Sequence, residues 1–88
     1  MKKVIVYFSE HCKDCGPLKA ALDEAGIKYA PVDISSGMFP LKQFLKYRDH
    51  RAEFDPIKEK GQVGVPCIVV NDGEQILFSV PEDLDILR

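Results

Sequence analysis

Cys12 and Cys15, two residues apart in the stretch SEHCKDCGPLK, are the side chains of this chain best suited to covalent chemistry. Three readings fit such a pair: thiol–disulfide exchange, half of a metal site, or two buried small hydrophobes. Exchange needs an attacking thiolate. A helix N-terminus, with its unpaired N–H groups and partial positive charge, lowers a cysteine pKa from about 8.5 into a range of roughly 3.5 to 7.5. Cys12, at such a junction, is the expected nucleophile, and Cys15, one turn later and closer to the core, the expected resolving thiol. Lys13 and a protonated His11 favour the thiolate, whereas Glu10 and Asp14 oppose it.

Metal ligation competes, because Cys12, Cys15, Cys67 and either His11 or His50 could supply four ligands. No second closely spaced pair accompanies the first, so the metal reading is a carrier of a metal or shared iron–sulfur cluster, using Cys12 with Cys15 or Cys67. His11 and His50 read as ordinary loop and surface residues. Cys67, at the start of an apolar run, reads as a buried small hydrophobe, with an alternative in which it approaches the pair.

The elements that must position these residues alternate along the chain. Lys3 to Phe8 (KVIVYF) is a short β-branched and aromatic strand, and Leu18, Ala21, Leu22 and Ala25 recur at helical spacing before Gly26. The cysteine pair therefore falls at a strand-to-helix junction. Lys28 to Ile34 reads as a second strand, in which Pro31 points to an edge position or an irregular stretch. Helices are expected near Pro40 to Asp49, where Leu41, Phe44, Leu45 and Arg48 share a stripe, and near Pro56 to Lys60, with Asp55 as its cap. The cations of this middle region, Lys42, Lys46, Arg48, Arg51, Lys58 and Lys60, are interleaved with acids and read as a solvated face. Val65 to Val70 is a strong strand, Asn71-Asp72-Gly73 a tight turn, and Gln75 to Phe78 its antiparallel partner. The tail, PEDLDILR, reads as a closing helix starting at Pro81. A helix between the first two strands makes them parallel. The fold class is α/β, a mixed four-stranded sheet in the order βαβαββα, flanked by helices.

Length and composition bound the rest. At 88 residues the chain is expected to form one domain, residues 1 to 88, around one core. A net charge of −2 gives no reason to expect a nucleic-acid partner. The apolar run of MKKVIVYF ends too soon for a membrane span or secretory core. With three cysteines, an odd number, a secreted disulfide framework is disfavoured, and a cytoplasmic monomer is expected.

The first strand ending in Phe8-Ser9, Cys12-Lys13-Asp14-Cys15 at a helix start, Gly61-Gln62, Val65-Pro66 opening a strand about fifty residues after the cysteines, a Gly turn and a final acidic segment together resemble the glutaredoxin family. The resemblance spans nearly the whole chain. It implies a thioredoxin-like fold, a cis Val65–Pro66 bond lying against Cys12 and Cys15, and a redox-active disulfide between those two cysteines. It further implies a substrate site drawn from Lys13, Gln62, Val65, Pro66, Glu82 and Asp83. No bound cofactor is implied. The partners are disulfide-containing proteins or glutathione, with electrons from glutathione or a thioredoxin-reductase-like flavoenzyme. Three positions depart from the family's glutathione-binding pattern: Glu10 stands in a usually basic region, Gly64 replaces a threonine, and Ser79-Val80 replaces a glycine pair.

Overall fold

In the computed structural model, which describes residues 2–88, four strands form one mixed sheet in the order β2-β1-β3-β4. Strand β1 (Val4–Phe8) runs parallel to β2 (Ala30–Asp33), with Ile5 opposite Ala30 and Phe8 opposite Asp33. Antiparallel pairing joins β1 to β3 (Cys67–Val70) and β3 to β4 (Gln75–Leu77). As Pro31 requires, β2 is an edge strand, where the missing N–H breaks no central ladder. The α/β fold class and the mixed four-stranded sheet read from the sequence are those of the structure.

Side-chain alternation along the two central strands divides the interior into two clusters. Val4 and Val6 of β1 with Ile68 and Val70 of β3 face helix α1 (Cys15–Glu24), packing on Leu18, Leu22, Ile27 and Leu87. Tyr7, Cys67 and Val69 face the other way, packing on Phe44 of helix α2 (Met38–Arg48) and on Phe54. A 3-10 turn at Ala52–Phe54 leads into the short helix α3 (Asp55–Glu59). Val6, Leu22, Phe44, Phe54 and Ile68 are fully buried; each such side chain contributes about 1.5–3 kcal/mol by leaving water. This two-sided core fixes where β1 ends and α1 begins, and so where the cysteines sit.

Two expectations are corrected. The tail does not begin a helix at Pro81; it forms a 3-10 turn at Leu84–Leu87, capped by the Asp83 carboxylate, which accepts from the Asp85 N–H at 3.0 Å. Asp83 is extended (φ −98°, ψ 101°), so the regular turn opens only after it, at Leu84. Asp55 is likewise not a cap but lies inside the first turn of α3, where its charge suits the helix N-terminus. The β3–β4 connection is the tight turn expected at Asn71–Gly73, joining two antiparallel strands. Asn71 and Asp72 both adopt positive φ there, at 49° and 60°, a conformation these side chains tolerate better than most. Among the described residues, no helix is long and apolar enough to cross a membrane.

Candidate functional site

The cysteine pair stands at the end of β1, and Ser9 organises the turn that carries it. Its carbonyl accepts from the Cys12 N–H at 3.0 Å, and its hydroxyl accepts from the His11 N–H at 3.1 Å. A second bond, 2.5 Å between the Ser9 and Ser35 hydroxyls, ties this turn to the segment following β2. Among the described residues Ser9 is the buried polar one, and the polar atom of its side chain is used. Sequence reasoning treated it only as the end of an apolar run.

Helix α1 begins at Cys15, three residues beyond Cys12. That start accommodates Pro17, which falls in the first turn, where backbone N–H groups lack intrahelical partners in any case. Cys12 therefore sits in the turn ahead of the helix rather than in its first turn, and the Cys15 N–H donates to the Cys12 carbonyl at 3.3 Å. Cys12 is half-buried, and Cys15 is buried at 2% exposure. Burial pushes the Cys15 thiol up to about 11, helped by a hydrogen bond with Cys12, while the Ser9 backbone and Lys19 act in the opposite sense. An open thiol thus lies above a buried, protonated one.

Opposite Cys12 is the segment leading into β3. The Val65–Pro66 peptide bond is cis, and the Cys12 thiol donates to the Val65 carbonyl at 3.6 Å, a sulfur-length contact. Among the described residues nothing takes up the Val65 N–H. A groove of about 530 Å³ runs along this contact; Cys12, Asp14, Gln62, Val65 and Pro66 line it, together with Val63, Phe78, Ser79 and Val80. No lysine or arginine is among its lining residues. Of the residues expected to bind substrate, the structure gathers Gln62, Val65 and Pro66 around Cys12. Lys13, Glu82 and Asp83 are exposed and lie outside the groove lining.

Cys67 is not drawn to the pair. Although Pro66 lines the groove, Cys67 is the next residue along and points to the other face of the sheet, fully buried with Tyr7, Phe44 and Phe54. Burial, followed by the charge of Glu53, pushes its thiol up to about 12. Cys67 is thus the buried small hydrophobe expected from the sequence, and the alternative, in which the proline contact brings it toward Cys12 and Cys15, is not realised. Among the described residues, no three His, Cys, Asp or Glu side chains converge as a metal site would require.

Two further residues shape the groove without having been singled out for it. Gly64 has φ +109°, and a Cβ built there would lie 3.0 Å from Phe54 Cε1 and 3.4 Å from Phe44 Cζ, so the position excludes the threonine of the family pattern. Arg48, at the end of α2, donates from Nε to the Val63 carbonyl at 2.7 Å and from Nη2 to the Gln62 carbonyl at 2.8 Å. Its place on the stripe with Leu41, Phe44 and Leu45 was the signal, since a cation on an inward-facing stripe needs a buried or backbone partner.

Comparison with known proteins agrees with this geometry. Residues 4–76 match the family model described as Glutaredoxin. The chain is also similar to an uncharacterized protein of Haemophilus influenzae, 39% identical over 77 residues, covering 88% of this chain and 90% of that relative.

Proposed function

The chain belongs to the glutaredoxin family, a family of thiol–disulfide oxidoreductases, and from that premise we propose that it reduces disulfides with Cys12 as nucleophile and Cys15 as resolving thiol. The observation that carries this reading is the placement of the Cys12 sulfur, half-open, 3.6 Å from the Val65 carbonyl and above the buried Cys15. Cys12 as thiolate attacks one sulfur of a substrate disulfide; a Cys12–substrate bond forms, and the other substrate sulfur leaves as a thiolate that takes a proton. Cys15 then gives up its proton and attacks the Cys12 sulfur, forming the Cys12–Cys15 disulfide and releasing the second substrate thiol. Two electrons pass from the protein dithiol to the substrate.

The raised Cys15 thiol fits the order of these steps. In the resting protein, burial and the bond with Cys12 hold its proton. Once the Cys12 sulfur is bonded to substrate, its hydrogen bond with Cys15 is lost, and one influence keeping Cys15 protonated goes with it. The free Val65 N–H beside Cys12 offers an extended substrate backbone a place to pair, as in strand addition.

Glutathione and a thioredoxin-reductase-like flavoenzyme are the candidate reductants, and disulfide-bearing proteins or glutathione mixed disulfides the candidate substrates. A disulfide-reduction assay offering each reductant separately to wild type, Cys12→Ser and Cys15→Ser tests the proposal. Turnover with at least one reductant, abolished by Cys12→Ser, is expected. Turnover that survives Cys12→Ser contradicts it.

A further inference from the structure

The loop that offers Val65 to substrate has almost no regular structure of its own. Between the end of α3 and the start of β3, it is held by two turn bonds, Gly61 N–H to the Lys58 carbonyl and Gln62 N–H to the Ile57 carbonyl, both at 3.0 Å. Beyond Gln62, its hold comes from another element. The Arg48 fork grips the Gln62 and Val63 carbonyls at 2.8 and 2.7 Å, and among the described residues Arg48 has no carboxylate partner. A cation in the last turn of a helix commonly serves its own helix end. Here both donors leave the helix and span fourteen and fifteen residues of sequence to reach one loop.

Resting on the thiol-exchange reading above, we propose that Arg48 is a positioning residue that holds the Gln62–Val65 edge for pairing with the main chain of an extended, disulfide-bearing protein segment. Three observations converge on that substrate. The groove lining carries Asp14 but no lysine or arginine, so it has no cation for a small anionic disulfide. Arg48, the one arginine directed at its rim among the described residues, is committed to backbone carbonyls. The rim itself offers an unpaired N–H at Val65 and an exposed apolar side chain at Val63, 53% open, which together suit main chain with an apolar neighbour. A planar fork is needed to meet two adjacent carbonyls, which a lysine ammonium cannot reproduce.

The test compares two substrates on wild type, Arg48→Met and Arg48→Lys: a disulfide-linked extended peptide, and bis(2-hydroxyethyl) disulfide, which has no backbone to pair. Arg48→Met is expected to raise KM for the peptide about tenfold, the equivalent of about 1.4 kcal/mol, with kcat little changed and reduction of the small disulfide unaffected. Arg48→Lys falls between. Amide hydrogen exchange at Val63 to Val65 is expected to quicken in both variants, while the β1 and β3 amides keep their protection. Equal losses on both substrates overturn the proposal in favour of a general structural role, and no change on the peptide overturns it outright. If Arg48→Met does not fold, Arg48→Lys decides by the same split. A wild type that reduces neither disulfide refutes the thiol-exchange reading instead, and the exchange rates then decide whether Arg48 holds the loop.

Discussion

Replacing Gly64 by alanine isolates the constraint that sets the groove's shape. At φ +109° an L-residue is strained, by about 1–2 kcal/mol on the scale of left-handed backbone. The new methyl would also stand 3.0 Å and 3.2 Å from the Phe54 ring. Phe54 cannot step aside, being fully buried and in edge contact with Phe44 at 5.7 Å and Phe78 at 5.0 Å between ring centroids. Overpacking of this kind costs about 1–3 kcal/mol, and the stiffer unfolded chain returns about 0.4–1 kcal/mol. The net loss is about 1–4.6 kcal/mol, or a fall in Tm on the order of 5–35 °C for a domain of this size. Thermal and urea unfolding followed by circular dichroism measure it. Gly61→Ala supplies the control, because Gly61 also has positive φ (+68°) but nothing within 4 Å of its Cβ position. Gly61→Ala should therefore show the backbone cost alone. If Gly64→Ala is no more destabilising than Gly61→Ala, the steric reasoning is refuted, and with it the explanation for the missing threonine.

Two other outcomes follow from the buried thiols. Cys15 and Cys67, raised from 9.0 to about 11 and about 12, keep protons in the folded protein that the unfolded chain releases. Stability is thus unaffected below about pH 9 and falls as pH rises toward about 11 to 12, since there the folded state binds more protons than the unfolded one. A urea midpoint that stays constant from about pH 8 to about pH 10.5 contradicts this. Cys67→Ser buries a hydroxyl among Tyr7, Phe44 and Phe54, and is expected to lower stability by about 1–3 kcal/mol while leaving turnover unchanged. Loss of turnover in folded Cys67→Ser would give that thiol a part in the chemistry.

Local pattern made most of the scaffold legible. The β-branched run of β1, the helical stripe of α1 and the edge position of Pro31 each follow from a period or a missing N–H, and all three stand in the structure. The cis Val65–Pro66 bond came from family resemblance rather than from spacing. Less legible were features that depend on which way a side chain faces at a distance. Cys67 was legible as a buried small hydrophobe, but the face it takes was not: strand alternation sends it to the opposite side of the sheet from Pro66, as the two-residue period of VPCIVV shows. Arg48 was counted with a solvated face because its partners lie fourteen and fifteen residues away and are backbone atoms, which composition does not reveal. The closing helix does not start at Pro81 because Asp83 is extended, and the regular turn opens only after it.

The division of labour between Cys12 and Cys15 is most directly tested by trapping the intermediate. Cys15→Ser, mixed with a disulfide-linked peptide and examined by mass spectrometry without added reductant, is predicted to accumulate a single peptide adduct through Cys12, while wild type passes through to the Cys12–Cys15 disulfide and free peptide. An adduct on Cys67, or a Cys12→Ser protein that still forms one through Cys15, would contradict the account.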